Sequence, residues 1–306
     1  MDNLSTWHTQ YLSACQFQKG LDKKTLKAYR IDLLQFIHFL EQHSLPLSRD
    51  GVMEFVSEMH TKYQPRTIRR KVASLKAFCN YLEFEGLISE NPFSALRLKL
   101  ASPLILPRTI PLSVVESLLH TAHDLEYQQT LSASRANMLV RDIAVLELLF
   151  ATGMRVSELC SLKCADVNLT EGEVRIFGKG AKERIIQIGS SDVLTILRNY
   201  RSQNKEAMDK SGSFFVNCRQ KPLSDQSVRN IITKYTRLAG ESLHITPHMF
   251  RHSFATLLLE EDVDIRYIQR MLGHSSILTT QIYTYVSGKK QRDILSTKHP
   301  RNRLSC

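Results

Sequence analysis

Histidine, arginine and tyrosine side chains that could act together on an anion lie near the end of this sequence. His248 and Arg251 are three residues apart, His274 follows a Leu-Gly pair, and Tyr283 comes soon after. An arginine holds an anionic group by forked hydrogen bonds, and a histidine exchanges protons near neutral pH. A tyrosine oxygen can serve as a nucleophile. The set therefore predicts a site that binds an anion and attacks it.

Helix signals bring the first two of these residues onto one face. Thr246 is a favourable N-cap, and Pro247 suits the first helical position after it. His248 and Arg251 then stand at positions i and i+3 of that helix, where side chains are neighbours. We therefore expect both side chains to face the same site.

A second and a third element position the other two residues. Asp264 is an N-cap candidate, and apolar residues at helical spacing run from it to Gly273, a natural C-terminal stop. His274 is thus expected just beyond a helix end. A serine that follows could cap a short third helix carrying Tyr283.

An arginine and two lysines from the middle of the chain could add to this site. Gly153 ends an apolar helix, and Arg155 lies at the start of the next, near a helix N-terminus where anions are favoured. Two alternating strands within residues 174–188 flank a glycine-rich turn that carries Lys179 and Lys182. Lysines on such a turn can donate protons or contact phosphate. The ordinary alternatives are a surface arginine and solvated edge charges.

The composition favours a polyanionic partner. The chain has 306 residues, a net charge of +11 and a pI of about 9.4, and 42% of its residues are hydrophobic. The length allows two domains, and the charge favours nucleic acid, although a merely basic protein is the alternative. No apolar run reaches the roughly 18 residues of a membrane span, and the N-terminus does not resemble a signal peptide. We therefore expect a cytoplasmic protein.

Residues 1–93 predict a small helical domain with a basic face on one helix. Apolar residues recur at helical spacing within residues 22–40 and 65–82. The polar face of the latter helix carries charges of nearly one sign, which repel one another unless a bound anion neutralises them. We expect DNA phosphates to contact this face and Lys182; a solvated charged face is the alternative. The basic residues of the face are Arg66, Arg69, Arg70, Lys71 and Lys76.

The remaining chain divides into a linker, a larger domain that carries the site, and a tail. A stretch without clear period and with two prolines, residues 94–108, predicts the linker. We expect the larger domain over residues 109–290 and a polar, basic tail over residues 291–306. Within that domain we predict a loop or irregular helix end over 127–137 and a buried helix over 141–151. The fold class is mainly α with a small β-hairpin or sheet, in two domains.

Five short motifs stand in a fixed order along the chain: residues 152–159, 178–184, 247–256, 272–274 and 279–283. Together they resemble the motifs of the tyrosine recombinase (phage integrase) family, and within it the bacterial Xer recombinases. Each motif alone is weak, whereas five in the family's order with comparable gaps are specific. The resemblance covers about residues 109–286. It extends more weakly over the helical N-terminal domain, which is similar in size and place to the family's core-DNA-binding, SAM-like domain.

The resemblance assigns the phosphate-holding and proton-donating roles to basic residues. Arg155 and Arg251 match the family's catalytic arginines, which would hold the nonbridging oxygens of a DNA phosphate and stabilise the transition state. Lys179 matches the catalytic lysine that protonates the leaving 5′-oxygen, with Lys182 as the second choice. The sequence has no acidic cluster typical of a magnesium site, so we expect neither a metal nor a cofactor.

The remaining roles fall to two histidines and a tyrosine. His248 would take the tyrosine proton or orient the phosphate, and His274 would hydrogen-bond a nonbridging oxygen. Tyr283 would attack phosphorus and form a 3′-phosphotyrosyl link, which stores the bond energy so that no ATP is required. Tyr285 is a nearby alternative nucleophile, but the number of residues that separate it from His274 fits the family less well than that of Tyr283.

The resemblance implies site-specific recombination of double-stranded DNA. Two roles stay open: Xer-type dimer resolution in chromosome segregation, and integration or excision of a mobile element. The alternatives are a type IB topoisomerase-like enzyme and a catalytically silent DNA-binding protein. The resemblance also implies a tetramer on DNA, homomeric or with a second recombinase, and a DNA translocase is a further candidate partner.

Overall fold

The computed structural model describes residues 3–94, 96, 98, 107–128, 132–178 and 183–273. The chain forms two compact units, residues 1–104 and 105–306, each with its own hydrophobic core. The mainly helical fold with a small sheet confirms the predicted fold class. The domain limits inferred from the sequence stay a prediction. The helices of the first unit are α1 (Asn3–Phe17), α2 (Lys23–Gln42), α3 (Arg49–Lys62) and α4 (Pro65–Phe84).

Side-chain caps start helices α2 and α3 of the first unit. The Asp22 carboxylate accepts the Thr25 N–H at 2.9 Å, and Ser48 Oγ accepts the Gly51 N–H at 3.3 Å. Each bond satisfies a donor that the first helical turn leaves unpaired. The apolar faces of the four helices then meet in one core. Its largest fully buried side chains are Tyr11, Leu33, Phe36, Leu40, Met59 and Phe78.

The basic face of α4 has an internal counter-ion on α2. Asp32 is buried, and its carboxylate accepts hydrogen bonds from Lys71 Nζ at 3.1 Å and Ser74 Oγ at 3.0 Å. Arg70 pairs with the same carboxylate. The Lys71 ammonium is itself buried and also contacts Gln35. Lys71 therefore belongs to a buried ion pair, contrary to our expectation that it contacts DNA. The exposed basic residues of α4 are Arg66, Arg69, Arg70 and Lys76.

We predict that Asp32→Asn lowers the free energy of unfolding of the first unit by about 3 kcal/mol, because it leaves the buried Lys71 charge without a counter-charge. Trp7 is the only tryptophan of the chain and packs against this core, so its fluorescence in a urea titration follows this unit. Glu41→Gln, at an exposed position of α2, is the matched control. A midpoint shift no larger than that of the control would contradict the prediction.

The second unit joins a three-stranded antiparallel sheet to a set of helices, with strand order β1-β2-β3 in the described residues. Its helices are α5 (Leu112–Gln128), α6 (Ala133–Thr152), α7 (Val156–Ser161), α8 (Ser191–Ser211), α9 (Asp225–Leu238), α10 (Pro247–Glu260) and α11 (Ile265–Leu272). Its strands are β1 (Val167–Asn168), β2 (Glu173–Phe177) and β3 (Glu183–Gln187). Throughout the described ranges of both units, every helix is too short or too polar to cross a bilayer.

Helix α6 runs through the core of this unit and is longer than predicted. It packs against α5, α8, α9 and α10. Because α6 begins at Ala133, the predicted loop or irregular helix end is wrong over residues 133–137, and so is the helix start at 141. Residues 127–128 are the end of α5, and residues 129–131 lie outside the described ranges. Leu139 and Val140 are buried, so α6 already packs into the core before the predicted helix start.

Strands β2 and β3 form the predicted hairpin. Val174 is opposite Ile186, and Phe177 is opposite Glu183. This register leaves residues 178–182 as the connection, and both lysines of that turn lie outside the described residues. Strand β1 was not predicted, because two residues are too few to show an alternating pattern.

Candidate active site

The described part of the chain includes half of the predicted catalytic set. The residues within it are Arg155, His248 and Arg251. The predicted site residues outside it are Lys179, Lys182, His274 and Tyr283, together with the rival Tyr285. The described elements nevertheless include the residues that directly precede the lysine turn and His274.

Arg155 lies at a tight junction between two helices. Helix α6 ends at Gly153, whose φ of +58° is the left-handed cap conformation that glycine favours. Helix α7 begins at Val156, so Arg155 occupies its N-cap position. The arginine side chain is 36% exposed. The junction thus fixes the backbone of Arg155 while its side chain remains accessible to a ligand.

A buried carboxylate, that of Glu158, holds Arg155. It accepts the Arg155 backbone N–H at 2.8 Å and Arg155 Nη1 at 2.7 Å. It also accepts Arg184 Nη1 at 3.0 Å and Nη2 at 2.7 Å. Burial raises the pKa of Glu158, but the hydrogen bonds of Arg184 and Arg155 and the charge of Arg184 outweigh burial and lower that pKa overall. Glu158 is therefore a fixed negative charge between two guanidinium groups.

Arg251 is buried and is held by backbone carbonyls. Its Nη1 donates to the Gly153 carbonyl oxygen at 2.9 Å, and its Nη2 donates to that of Leu272. Only 4% of Arg251 is exposed, so its donors need such partners. Gly153 is two residues before Arg155, and Leu272 is two residues before His274. Arg251 consequently links the α6–α7 junction to the end of α11.

The two histidines of α10 differ in environment. His248 is exposed, one turn before the partly buried His252. Burial, then the nearby charges of His248 and Arg251, lower the pKa of His252 to about 4. His252 is thus neutral near pH 7. His248 is therefore the solvent-exposed histidine of α10, and His252 is the partly enclosed one.

Arg184 connects the hairpin to the Glu158 carboxylate and to the C-terminal end of α11. Besides its bonds to Glu158, its Nε donates to the Met271 carbonyl oxygen at 2.8 Å. Gly273 lies directly under this guanidinium: a Cβ added there would stand 2.9 Å from Arg184 Nη1. The side chain of Arg184 is only 11% exposed. The strand that follows the lysine turn is therefore hydrogen-bonded to the end of α11, three residues before His274.

Comparison with known proteins decides the family. Residues 108–290 match the phage integrase family, and residues 9–86 match its N-terminal SAM-like domain. The chain belongs to the phage integrase family. It is a tyrosine recombinase close to the Xer enzymes, and thus an enzyme that cleaves and rejoins DNA strands.

Full-length relatives support the same assignment. A tyrosine recombinase of Agathobacter rectalis is 51% identical over 302 residues, which cover 98% of each chain. The tyrosine recombinase XerC of Bacillus subtilis is 35% identical over 310 residues, again covering 98% of each. The family predicted from the five motifs is therefore confirmed.

Solved structures share the fold of this recombinase. The recombinase XerH in a post-cleavage complex with a palindromic difH substrate has a TM-score of 0.76 at 22% identity and covers 95% of this chain and 84% of its own. A lambda integrase tetramer bound to a Holliday junction has a TM-score of 0.67 at 18% identity, with coverages of 92% and 76%. At these identities the likeness shows the fold alone.

Sequence reasoning missed two residues of this recombinase site. Glu158 and Arg184 both lie inside motifs that carry the family resemblance, yet neither was given a role. An acidic residue three positions after Arg155, at the start of a helix, was the available signal for Glu158. Arg184 had no local signal, because its partners are 26 and 87 residues away in sequence.

We predict that Gly153→Ala destabilises the second unit more than Gly212→Ala does, by about 1–3 kcal/mol. Both glycines cap a helix at positive φ, but a Cβ at Gly153 would stand 2.6 Å from the Phe254 ring, whereas no atom of the described residues lies within 4 Å of a Cβ at Gly212. Because both substitutions place alanine at a positive φ, the difference between their unfolding free energies measures the clash with Phe254. Urea unfolding followed by far-ultraviolet circular dichroism measures it, and equal losses would contradict the described packing.

Proposed function

We propose that this tyrosine recombinase cuts and rejoins DNA at specific sites through a 3′-phosphotyrosyl intermediate formed by Tyr283. The observation that carries the proposal is the link from Arg251 to the α6–α7 junction at Gly153 and to the end of α11. Through this link one buried arginine keeps the Arg155 segment and the segment before His274 together. A phosphate bound there would meet basic groups from distant parts of the chain.

The proposed chemistry rests on charge neutralisation and proton transfer. Arg155 and Arg251 hold the nonbridging oxygens of the scissile phosphate and stabilise the charge that grows in the transition state. His248 takes the tyrosine proton or orients the phosphate, and His274 hydrogen-bonds a nonbridging oxygen. Lys179 protonates the leaving 5′-oxygen. Rejoining reverses these steps, with a 5′-hydroxyl attacking the phosphotyrosine.

The proposed DNA contacts include the basic face of α4 and the hairpin turn. On α4 the proposed contacts are the exposed residues Arg66, Arg69, Arg70 and Lys76. Lys71 is left out because it is buried beside Asp32. The Asp32 carboxylate also holds Arg70, which is 48% exposed and so remains accessible to a phosphate. Lys182 adds a contact from the turn. The net charge of +11 supports phosphate binding as the main source of affinity.

We further propose that recombination proceeds in a tetramer on two duplexes in the cytoplasm. The lambda integrase tetramer on a Holliday junction supports this by its shared fold. Whether the four subunits are identical or include a second recombinase is an outcome for reconstitution experiments. A DNA translocase is not part of the proposal, because none of the comparisons supports one.

Xer-type dimer resolution in chromosome segregation is the favoured biological role, because the XerC relative matches along 98% of both chains. Mobile-element integration and excision is the second candidate. A type IB topoisomerase-like enzyme would relax supercoiled plasmids that lack any recombination site. A silent DNA-binding protein would form no covalent complex.

We predict that the protein forms a covalent adduct with a nicked suicide duplex and that Tyr283→Phe abolishes it. The nick lets the cleaved fragment diffuse away, so the phosphotyrosyl complex accumulates and migrates slowly in a denaturing gel. The duplex sequence is first selected from a randomised pool by binding to the full-length protein. Tyr283→Phe removes only the nucleophilic oxygen, so its affinity for the duplex should be unchanged.

Tyr285→Phe is the matched control, because it removes the same atom two residues away. It should retain the adduct. An adduct that persists in Tyr283→Phe and is lost in Tyr285→Phe would assign the nucleophile to Tyr285. No adduct from the unaltered protein would favour the silent DNA-binding alternative.

We predict that a sulfur leaving group rescues Lys179→Ala but not Tyr283→Phe. With a 5′-bridging phosphorothiolate, the thiolate leaves without a proton, so the general acid becomes dispensable. On an ordinary duplex we expect Lys179→Ala to slow adduct formation about 100-fold. Lys182→Ala is the control: rescue of Lys182→Ala in place of Lys179→Ala would reverse our assignment of the acid.

A further inference from the structure

The arrangement of charges around Glu158 has a consequence for the scissile phosphate. Arg155 and Arg184 each carry one positive charge, and both donate to the same buried carboxylate. The three groups together therefore keep one net positive charge. If Arg184 were neutral, Glu158 would cancel the charge of Arg155 at 2.7 Å, and the group would present no net charge to a phosphate.

The two arginines differ in what they can reach. Arg155 is 36% exposed, whereas Arg184 is 11% exposed and lies between Glu158, the Met271 carbonyl and Gly273. Arg184 is thus enclosed by protein groups. Its two Nη atoms are both directed to the carboxylate, a forked geometry that a single-point cation cannot reproduce. Arg155 is thus the more exposed member of the pair, and the proposed function gives it the contact to the phosphate.

Arg184 also restrains two neighbouring segments. It is the second residue of β3, directly after the turn that carries Lys179 and Lys182. Its Nε bond to Met271 anchors the C-terminal end of α11, three residues before His274. One guanidinium group therefore fixes the carboxylate, the base of the hairpin and the end of a helix.

We infer that Arg184 is a positioning residue of the reaction: it neutralises Glu158 so that the charge of Arg155 stays available to the scissile phosphate. This inference rests on the proposed function, in which Arg155 binds that phosphate. Among the described residues, the guanidinium of Arg184 donates to the Glu158 carboxylate and to the Met271 carbonyl oxygen. Its effect is transmitted through Glu158.

The experiment measures adduct formation on the nicked suicide duplex at saturating DNA, and duplex affinity separately. We expect Arg184→Gln to slow adduct formation about tenfold or more while the Kd for the duplex stays within about twofold. The decisive variant is the double substitution Arg184→Gln with Glu158→Gln. It restores one net positive charge, so it should form the adduct faster than Arg184→Gln alone.

Two controls distinguish an effect of the lost charge from an effect of unfolding. Arg175→Gln removes a positive charge from the same hairpin, at a 52% exposed position paired with Glu183, and should leave the rate unchanged. Thermal unfolding of each variant establishes that it is folded at the assay temperature. Should Arg184→Gln unfold, Arg184→Lys carries the comparison: it retains the charge and should stay within about tenfold of the unaltered protein.

The outcomes are distinct. A double variant no faster than Arg184→Gln would overturn the inference, because lost hydrogen bonds and not charge would then limit the rate. Unchanged adduct formation by Arg184→Gln would overturn it as well, and so would a loss in Arg184→Lys as large as that in Arg155→Ala. If the unaltered protein forms no adduct, the proposed function fails before the inference is reached.

Discussion

The carboxylate of Glu158 is buried, and four N–H groups of Arg155 and Arg184 surround it. A buried carboxylate stays ionised only when such donors replace water. Its presence lets two guanidinium groups approach each other inside the fold, which their repulsion would otherwise oppose. The helix junction, the hairpin and the end of α11 are all positioned by residues that meet at or beside this charge.

Carbonyl oxygens at helix C-termini are the other groups that stabilise the buried positive charges. Arg251 binds the carbonyls of Gly153 at the end of α6 and Leu272 at the end of α11, and Arg184 binds that of Met271. Terminal carbonyls have no partner within their helix and carry the negative end of the helix dipole. They hold the arginines without adding a full negative charge. A cluster of cations built in this way retains attraction for a phosphate.

The sequence predicted those parts of the site that depend on local rules. Pro247 as the first residue of α10 and Gly153 as the cap before Arg155 follow from backbone preferences, and both are confirmed. The buried pairing of Lys71 with Asp32 spans 39 residues, and no periodicity reports such a contact. The role of Arg184 was not predicted for the same reason: its partners are distant in sequence. Long-range polar contacts depend on the packed fold, whereas caps and apolar faces depend on neighbouring residues.

The central claim is that protein cations counter the charge of the phosphate. It is tested most directly by adduct formation of the unaltered protein and Arg155→Ala on two duplexes that differ at one atom. In the second duplex a methylphosphonate replaces the scissile phosphate, which removes its negative charge. The account predicts that Arg155→Ala is strongly impaired on the ordinary duplex and much less impaired on the neutral one. Equal impairment on both duplexes would contradict it, since Arg155 would then serve something other than the phosphate charge.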